Sequence, residues 1–129
     1  MRIQAPTLFE LVDHAAVAMF SVGFDLGEIP PTYSRPLVAP GDTFGELLRN
    51  WLDELLLLRK QEGIVWSQVA VDRLEPGGVQ GSASGQYRRD VTPSGKFASG
   101  VADVTDVVEV PDGFWVDVTF HTDGSLRLI

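Results

Sequence analysis

The sequence predicts an α+β fold. Two helices pack on a mainly antiparallel or mixed β-sheet, in the order β-α-β-α-β-β-β-β. Three observations carry this. Two segments, 5–22 and 42–63, place apolar residues at helical spacing. After Gly63 the period drops from 3.6 to 2. Near the end, two β-branched and aromatic runs flank the turn Pro111-Asp112-Gly113. The 129 residues contain no internal repeat or linker, so residues 1–129 form a single domain.

Arg2 to Ala5 is read as a short edge strand. Pro6 and Thr7 then open a helix. Thr7 with Glu10 makes a capping box, and Leu8, Leu11, Val12, Ala15, Met19 and Val22 share one face. His14 falls on the wetter face. Gly23, Gly27, Pro30 and Pro31 break the helix into a loop. Ser34 to Ala39 has strand character, and Pro36 restricts it to an edge or a bulge.

The second helix is the most strongly patterned stretch. Phe44, Leu47, Leu48, Trp51, Leu52, Leu55, Leu56 and Leu58 form a broad apolar face. Thr43 with Glu46 caps its start, Arg59 and Lys60 suit its C-terminal dipole, and Gly63 can end it. Ile64 to Leu74 alternates as a strand, with a turn at Glu75-Pro-Gly-Gly78. Val79 to Tyr87 is its small-residue return. Gly81 and Gly85 within it predict a bulge or a close backbone approach. Arg88 to Gly100 reads as a loop. With Arg88, Arg89 and Lys96 it is the one locally basic segment, a solvated loop in preference to a phosphate contact.

The last hairpin joins Val101–Val110 to Phe114–Thr122. A three-residue loop sets Val110 opposite Phe114, Val108 opposite Val116 and Val104 opposite Phe120, giving one apolar face. In that register Asp103 faces His121. Asp106 falls on the apolar face beside Val118, where a carboxylate needs a partner, a metal or a strand end open to water.

Composition narrows the function. The formal net charge is −8, which disfavours direct contact with nucleic-acid phosphates. From Val101 to Ser125 there are six acids and no Lys or Arg. The chain has no cysteine, so disulfides and thiolate chemistry are out. No apolar run is long enough to span a membrane, and the first residues do not read as a signal peptide, so a cytoplasmic protein without membrane attachment is expected. GxGxxG, Walker A, GxSxG and HExxH patterns are missing. No catalytic and no cofactor-binding residue is assigned. Asp103, Asp106 and His121 are the candidate ligands for a divalent metal (Ca, Mg or Mn), against a purely structural Asp–His pair. A small metal-dependent hydrolase would need a third ligand and a general base, and neither stands out.

Two segments carry a family resemblance. LLRNWLDELLLLRKQEGIVWSQVAV (Leu47 to Val71) resembles the archease helix with its Asn-Trp-Leu-x-Glu-Leu-Leu core, Glu-Gly turn and following strand. APTLFELVDHAAVAMFSV (Ala5 to Val22) is similar to that family's first helix, and the terminal hairpin fits in outline. The resemblance implies a protein cofactor of the tRNA-splicing ligase that joins 2′,3′-cyclic phosphate ends to 5′-hydroxyl ends. Such a cofactor promotes guanylylation and turnover of the RNA ligase, binds divalent metal through acidic residues and has no catalysis of its own. A chaperone-like or protein-binding scaffold of the same fold is the alternative. The chain departs from the family pattern at the expected ligands. It lacks the N-terminal His-Thr-Ala-Asp segment. Val101 and Asp106 stand where the family has Lys and His, and His121 stands where it has the closing Asp. A divergent member is the expectation.

Overall fold

The computed structural model describes residues 1–93 and 97–122. The elements run β1 (Arg2–Ala5), α1 (Leu8–Ser21), a 3-10 turn (Leu26–Glu28), β2 (Tyr33–Gly41), α2 (Phe44–Glu62), β3 (Ile64–Glu75), β4 (Gly77–Tyr87), β5 (Ala98–Val104), β6 (Val108–Val110) and β7 (Gly113–Thr122). The α+β class and the antiparallel pairing agree with the sequence expectation. The single sheet resolves into two. Strands β2-β4-β3 form one; β1-β7-β5 form the other, with β6 also on β7. Each helix touches both sheets: α1 packs on β3 and β1, and α2 on β2 and β5.

Both helices start as their sequences dictate. The Thr7 hydroxyl accepts the Glu10 N–H at 3.1 Å. The Thr43 hydroxyl accepts the Glu46 N–H at 3.2 Å. Glu46 reaches back to the N–H of Asp42, at 2.7 Å, one residue before the cap. Helix α2 closes at Gly63 in the left-handed conformation, whose N–H donates to the Arg59 carbonyl.

The predicted apolar face of α2 is the core. Leu48, Trp51, Leu52 and Leu55 are fully buried, beside Leu11, Val12, Phe20, Ile64 and Val65. Truncating any of these leucines to alanine removes about 2–5 kcal/mol. On α1 the buried stripe is Leu11, Val12, Ala15, Ala16, Met19 and Phe20. Val22, expected on that stripe, is 41% exposed because the helix ends at Ser21.

Gly81 and Gly85 bear out the expected close approach. β4 pairs with β3, and the register of β3 shifts between Trp66 and Gln68 and again between Val71 and Arg73. Gly85 faces Trp66 and Gly81 faces Val71, one at each shift. β2 lies at the edge of this sheet, as Pro36 and Pro40 require.

Candidate functional site

The acidic hairpin departs from its predicted register. β7 is the central strand: β1 pairs along one edge, and β6 and then β5 pair along the other. Val108 faces Trp115, Glu109 faces Phe114 and Val110 faces Gly113, so the turn is the two residues Pro111 and Asp112. Gly113, at φ +145°, makes the short turn possible. A side chain there would collide with the Ala5 carbonyl of β1, 2.3 Å from the Cβ position.

Further along, Asp103 faces Thr119, Val104 faces Val118 and His121 faces Gly100. Asp103 and His121 are therefore not directly opposed. The expected strand 101–110 also breaks at Thr105–Val107. Asp106 lies in that break and is exposed. Of the three solutions open to a carboxylate on the apolar face, the chain uses the strand end open to water. Asp103 and His121 are exposed as well. Among the described residues no group of three or more His, Asp or Glu side chains converges where an ion could sit. Asp123, the last acid of the run, lies outside the described residues. Among the described residues, Asp103, Asp106 and His121 do not assemble into a divalent-metal site.

Asp117 is engaged elsewhere. Arg2 donates to both of its oxygens, at 2.9 and 3.1 Å, and its guanidinium lies 3.8 Å from the Trp115 ring centre. This pair holds the Asp117 carboxyl below the usual aspartate range. The Asp117 backbone exchanges bonds with Thr105: its N–H donates to the Thr105 hydroxyl, and its carbonyl accepts the Thr105 N–H, both at 3.0 Å. These contacts fix the chain at Thr105, immediately before Asp106.

The polar face of α2 positions the hairpin. Arg49 donates to the carbonyls of Val101 and Ala102, both at 3.3 Å. Asp53 accepts the Val101 N–H at 3.0 Å, and Lys60 donates to the Ser99 carbonyl. Asn50 donates to the Pro40 carbonyl of β2 at 2.8 Å. Periodicity assigned the apolar face of α2 and gave no sign that the opposite face clamps a strand. The signal available was the run of polar residues at helical spacing, Arg49, Asp53 and Lys60, beside an edge with free backbone groups.

The basic segment is likewise anchored. Arg59 donates to the carbonyls of Arg88 (3.3 Å) and Val91 (2.8 Å), and Arg89 to that of Gln61 (3.2 Å). Arg88 pairs with Asp90 at 3.0 Å. Arg59 and Arg89 fasten the start of the loop to the end of α2, where the sequence reading expected a solvated loop. Lys96 lies outside the described residues. His14 is exposed, its Nδ1 3.2 Å from the Gln4 carbonyl.

Asp13 is the perturbed carboxylate. It lies under β3, where burial raises its pKa above the usual aspartate range; a hydrogen bond from the Val71 N–H and the nearby His14 partly oppose this. Its Oδ1 is buried without a hydrogen-bond partner among the described residues, as are the indole nitrogens of Trp51 and Trp66.

Known proteins share this organisation. The solution structure of Methanobacterium thermoautotrophicum protein 1598 superposes with a TM-score of 0.64 at 24% identity, covering 89% of this chain and 84% of that one. It supports the fold alone. Protein archease of Methanopyrus kandleri is 32% identical over 119 residues, spanning 89% of this chain and 85% of that protein. Protein archease of Methanosarcina acetivorans is 30% identical over 90 residues, 70% of this chain and 58% of that protein. The sequence pattern of the Archease protein family matches residues 1–96. That match takes in both helices and the β2-β4-β3 sheet: the chain belongs to the Archease protein family.

Proposed function

We propose that this chain is an accessory protein of the archease type. It engages a tRNA-splicing RNA ligase in the cytoplasm and promotes guanylylation and turnover of that enzyme, with no catalysis of its own. The observation that carries this reading is the family match across residues 1–96, reinforced by relatives at 32% and 30% identity. The working surface is the hairpin that α2 holds in place. Asp103, Asp106, Glu109 and Asp112 are all exposed on it. Such a surface suits a basic protein patch, where unlike charge steers encounter and fixes orientation. Asp103, Asp106 and His121 do not converge among the described residues, and the carboxylates themselves are the interacting groups.

The test is multiple-turnover ligation with the cognate ligase, adding this chain at limiting concentration. The expected result is faster turnover, reduced by the combined change Asp103→Asn, Asp106→Asn and Glu109→Gln. No effect of the unmodified chain on turnover or guanylylation would refute the reading. The scattered candidate ligands favour one second reading, a protein-binding scaffold of the same fold without ligase activation. It predicts capture of a partner with no change in ligation rate.

A further inference from the structure

The two helix N-termini open onto one apolar groove, which takes in the start of β7 and not the residues that pair with β5. The groove has a volume of about 510 Å³. Its walls come from the starts of α1 and α2, the β3–β4 turn and the first residues of β7. Leu8, Phe44, Leu74 and Phe114 form the floor, half-buried against the core. Phe9 lines it too and is 42% exposed. The polar groups in the wall are already committed. The Thr7 and Thr43 hydroxyls accept the capping N–H groups of Glu10 and Glu46. What is left is an apolar surface that water wets at a cost, and its complement is a large apolar side chain.

The charges choose the flanks of that side chain. Among the described residues, the ionisable groups lining the groove are Asp42 and Glu75, with no Lys or Arg. Glu10 and Glu46 stand in the first turns behind the two caps. Arg73 offsets Glu75, at 3.1 Å, in a pair exposed to water. Each helix end contributes about half a positive charge, which the four carboxylates outweigh. The rim therefore repels anions and attracts cations.

We propose that this groove docks a basic peptide segment of a partner protein, one that inserts a leucine or aromatic side chain between flanking lysines or arginines. The proposal rests on the groove's own walls and rim and holds whether or not the partner is an RNA ligase.

The probe is a capped Lys-Lys-Leu-Phe-Lys-Lys peptide titrated into the ¹⁵N-labelled full chain. Two controls replace the lysines by glutamates, or the leucine and phenylalanine by alanines. The expected result is amide shifts confined to the neighbourhood of Phe9, Phe44, Leu74 and Phe114. Either control peptide should bind about tenfold more weakly, and added salt should weaken the parent peptide. Phe9→Ser should weaken binding without altering the spectrum of the free chain. Asp42→Asn serves as the second variant, since Asp42 is exposed and lies outside the core. Four results would overturn the proposal: no shifts at millimolar peptide; shifts centred on Asp103 to Asp112; equal binding of the alanine control, which is bare charge attraction; or the same shifts on concentrating the protein alone, which would make a second copy the occupant.

Discussion

Gly85→Ala tests the part of the fold on which the rest depends, the β3–β4 ladder. An added Cβ at Gly85 would stand 1.9 Å from the Val65 carbonyl oxygen, 2.8 Å from its carbon and 2.9 Å from Trp66 Cα. Ordinary carbon–oxygen contacts lie at about 3.3 Å or more, so β3 and β4 would have to separate by roughly 1.4 Å there. All three obstructing atoms belong to the backbone, and no rotamer change makes room. Val65 and Trp66 sit in the core, so the displacement spreads into α2 and Tyr33, whose ring stacks on Trp66. Overpacking costs about 1–3 kcal/mol, and each strained ladder bond adds about 1 kcal/mol; we expect a loss of about 3 kcal/mol. With a urea slope of about 2 kcal/mol/M the midpoint falls by about 1.5 M, read by tryptophan fluorescence. Gly100→Ala is the control. Among the described residues nothing lies within 4 Å of its Cβ position, and its φ is not left-handed, so it should be neutral or add up to about 1 kcal/mol. Equal midpoints for the two variants would refute the pairing of Gly85 with Trp66.

Three further outcomes follow from the same geometry. Asp13→Asn keeps an oxygen for the Val71 N–H and removes a desolvated charge. The folded pKa of Asp13 is raised, so the charge costs stability at neutral pH. The cost fades as pH falls through the folded value and is gone below the ordinary aspartate value. The variant should therefore be more stable than the parent at pH 7 and equal to it near pH 3, by denaturant melts across that range. Asp53→Ala leaves the Val101 N–H without its acceptor and should cost about 1–3 kcal/mol, with faster amide exchange at Val101; unchanged exchange would remove the clamp. His121→Ala should leave calorimetric isotherms with Mg²⁺, Ca²⁺ and Mn²⁺ unchanged, since His121 faces Gly100 and, among the described residues, belongs to no group of three carboxylate or imidazole side chains; a weakened isotherm would reinstate it as a ligand.

The helices were legible because their signals are local and redundant. Thr7 and Thr43 cap, Gly63 terminates, and Leu47 to Leu58 repeat at one spacing, so errors of a residue at either end leave the face intact. The paired glycines were legible for a similar reason: Gly81 and Gly85 predict a bulge or a close approach, and the shifts of β3 sit opposite them. The hairpin register was not. The alternation of valines around Pro111 favours the three-residue loop, which the structure does not use. The choice is made by Gly113 against the Ala5 carbonyl, a contact 108 residues away in the chain. The break at Thr105–Val107 is also set from outside, by Thr105 bonding to Asp117 while Arg2 holds the Asp117 carboxylate. The division into two sheets followed no local pattern, because α1 and α2 each bury against both.

The residues that identify the family and those that would carry its activity are physically separate. Trp51, Leu52, Leu55 and Leu56 are buried, and Asn50 ties α2 to the Pro40 carbonyl. A change at any of them is felt by the whole core, so the motif reports a fold. The acidic hairpin is under no such constraint. Asp103, Asp106 and Glu109 are exposed, and exchanging an exposed carboxylate alters stability by only about 0.5 kcal/mol. The two regions meet through Arg49, Asp53 and Lys60, which grip the backbone of β5 rather than its side chains. A backbone grip holds β5 in place whatever side chains it carries. The helix can thus hold the hairpin while its exposed side chains change, with the scaffold beneath it unchanged.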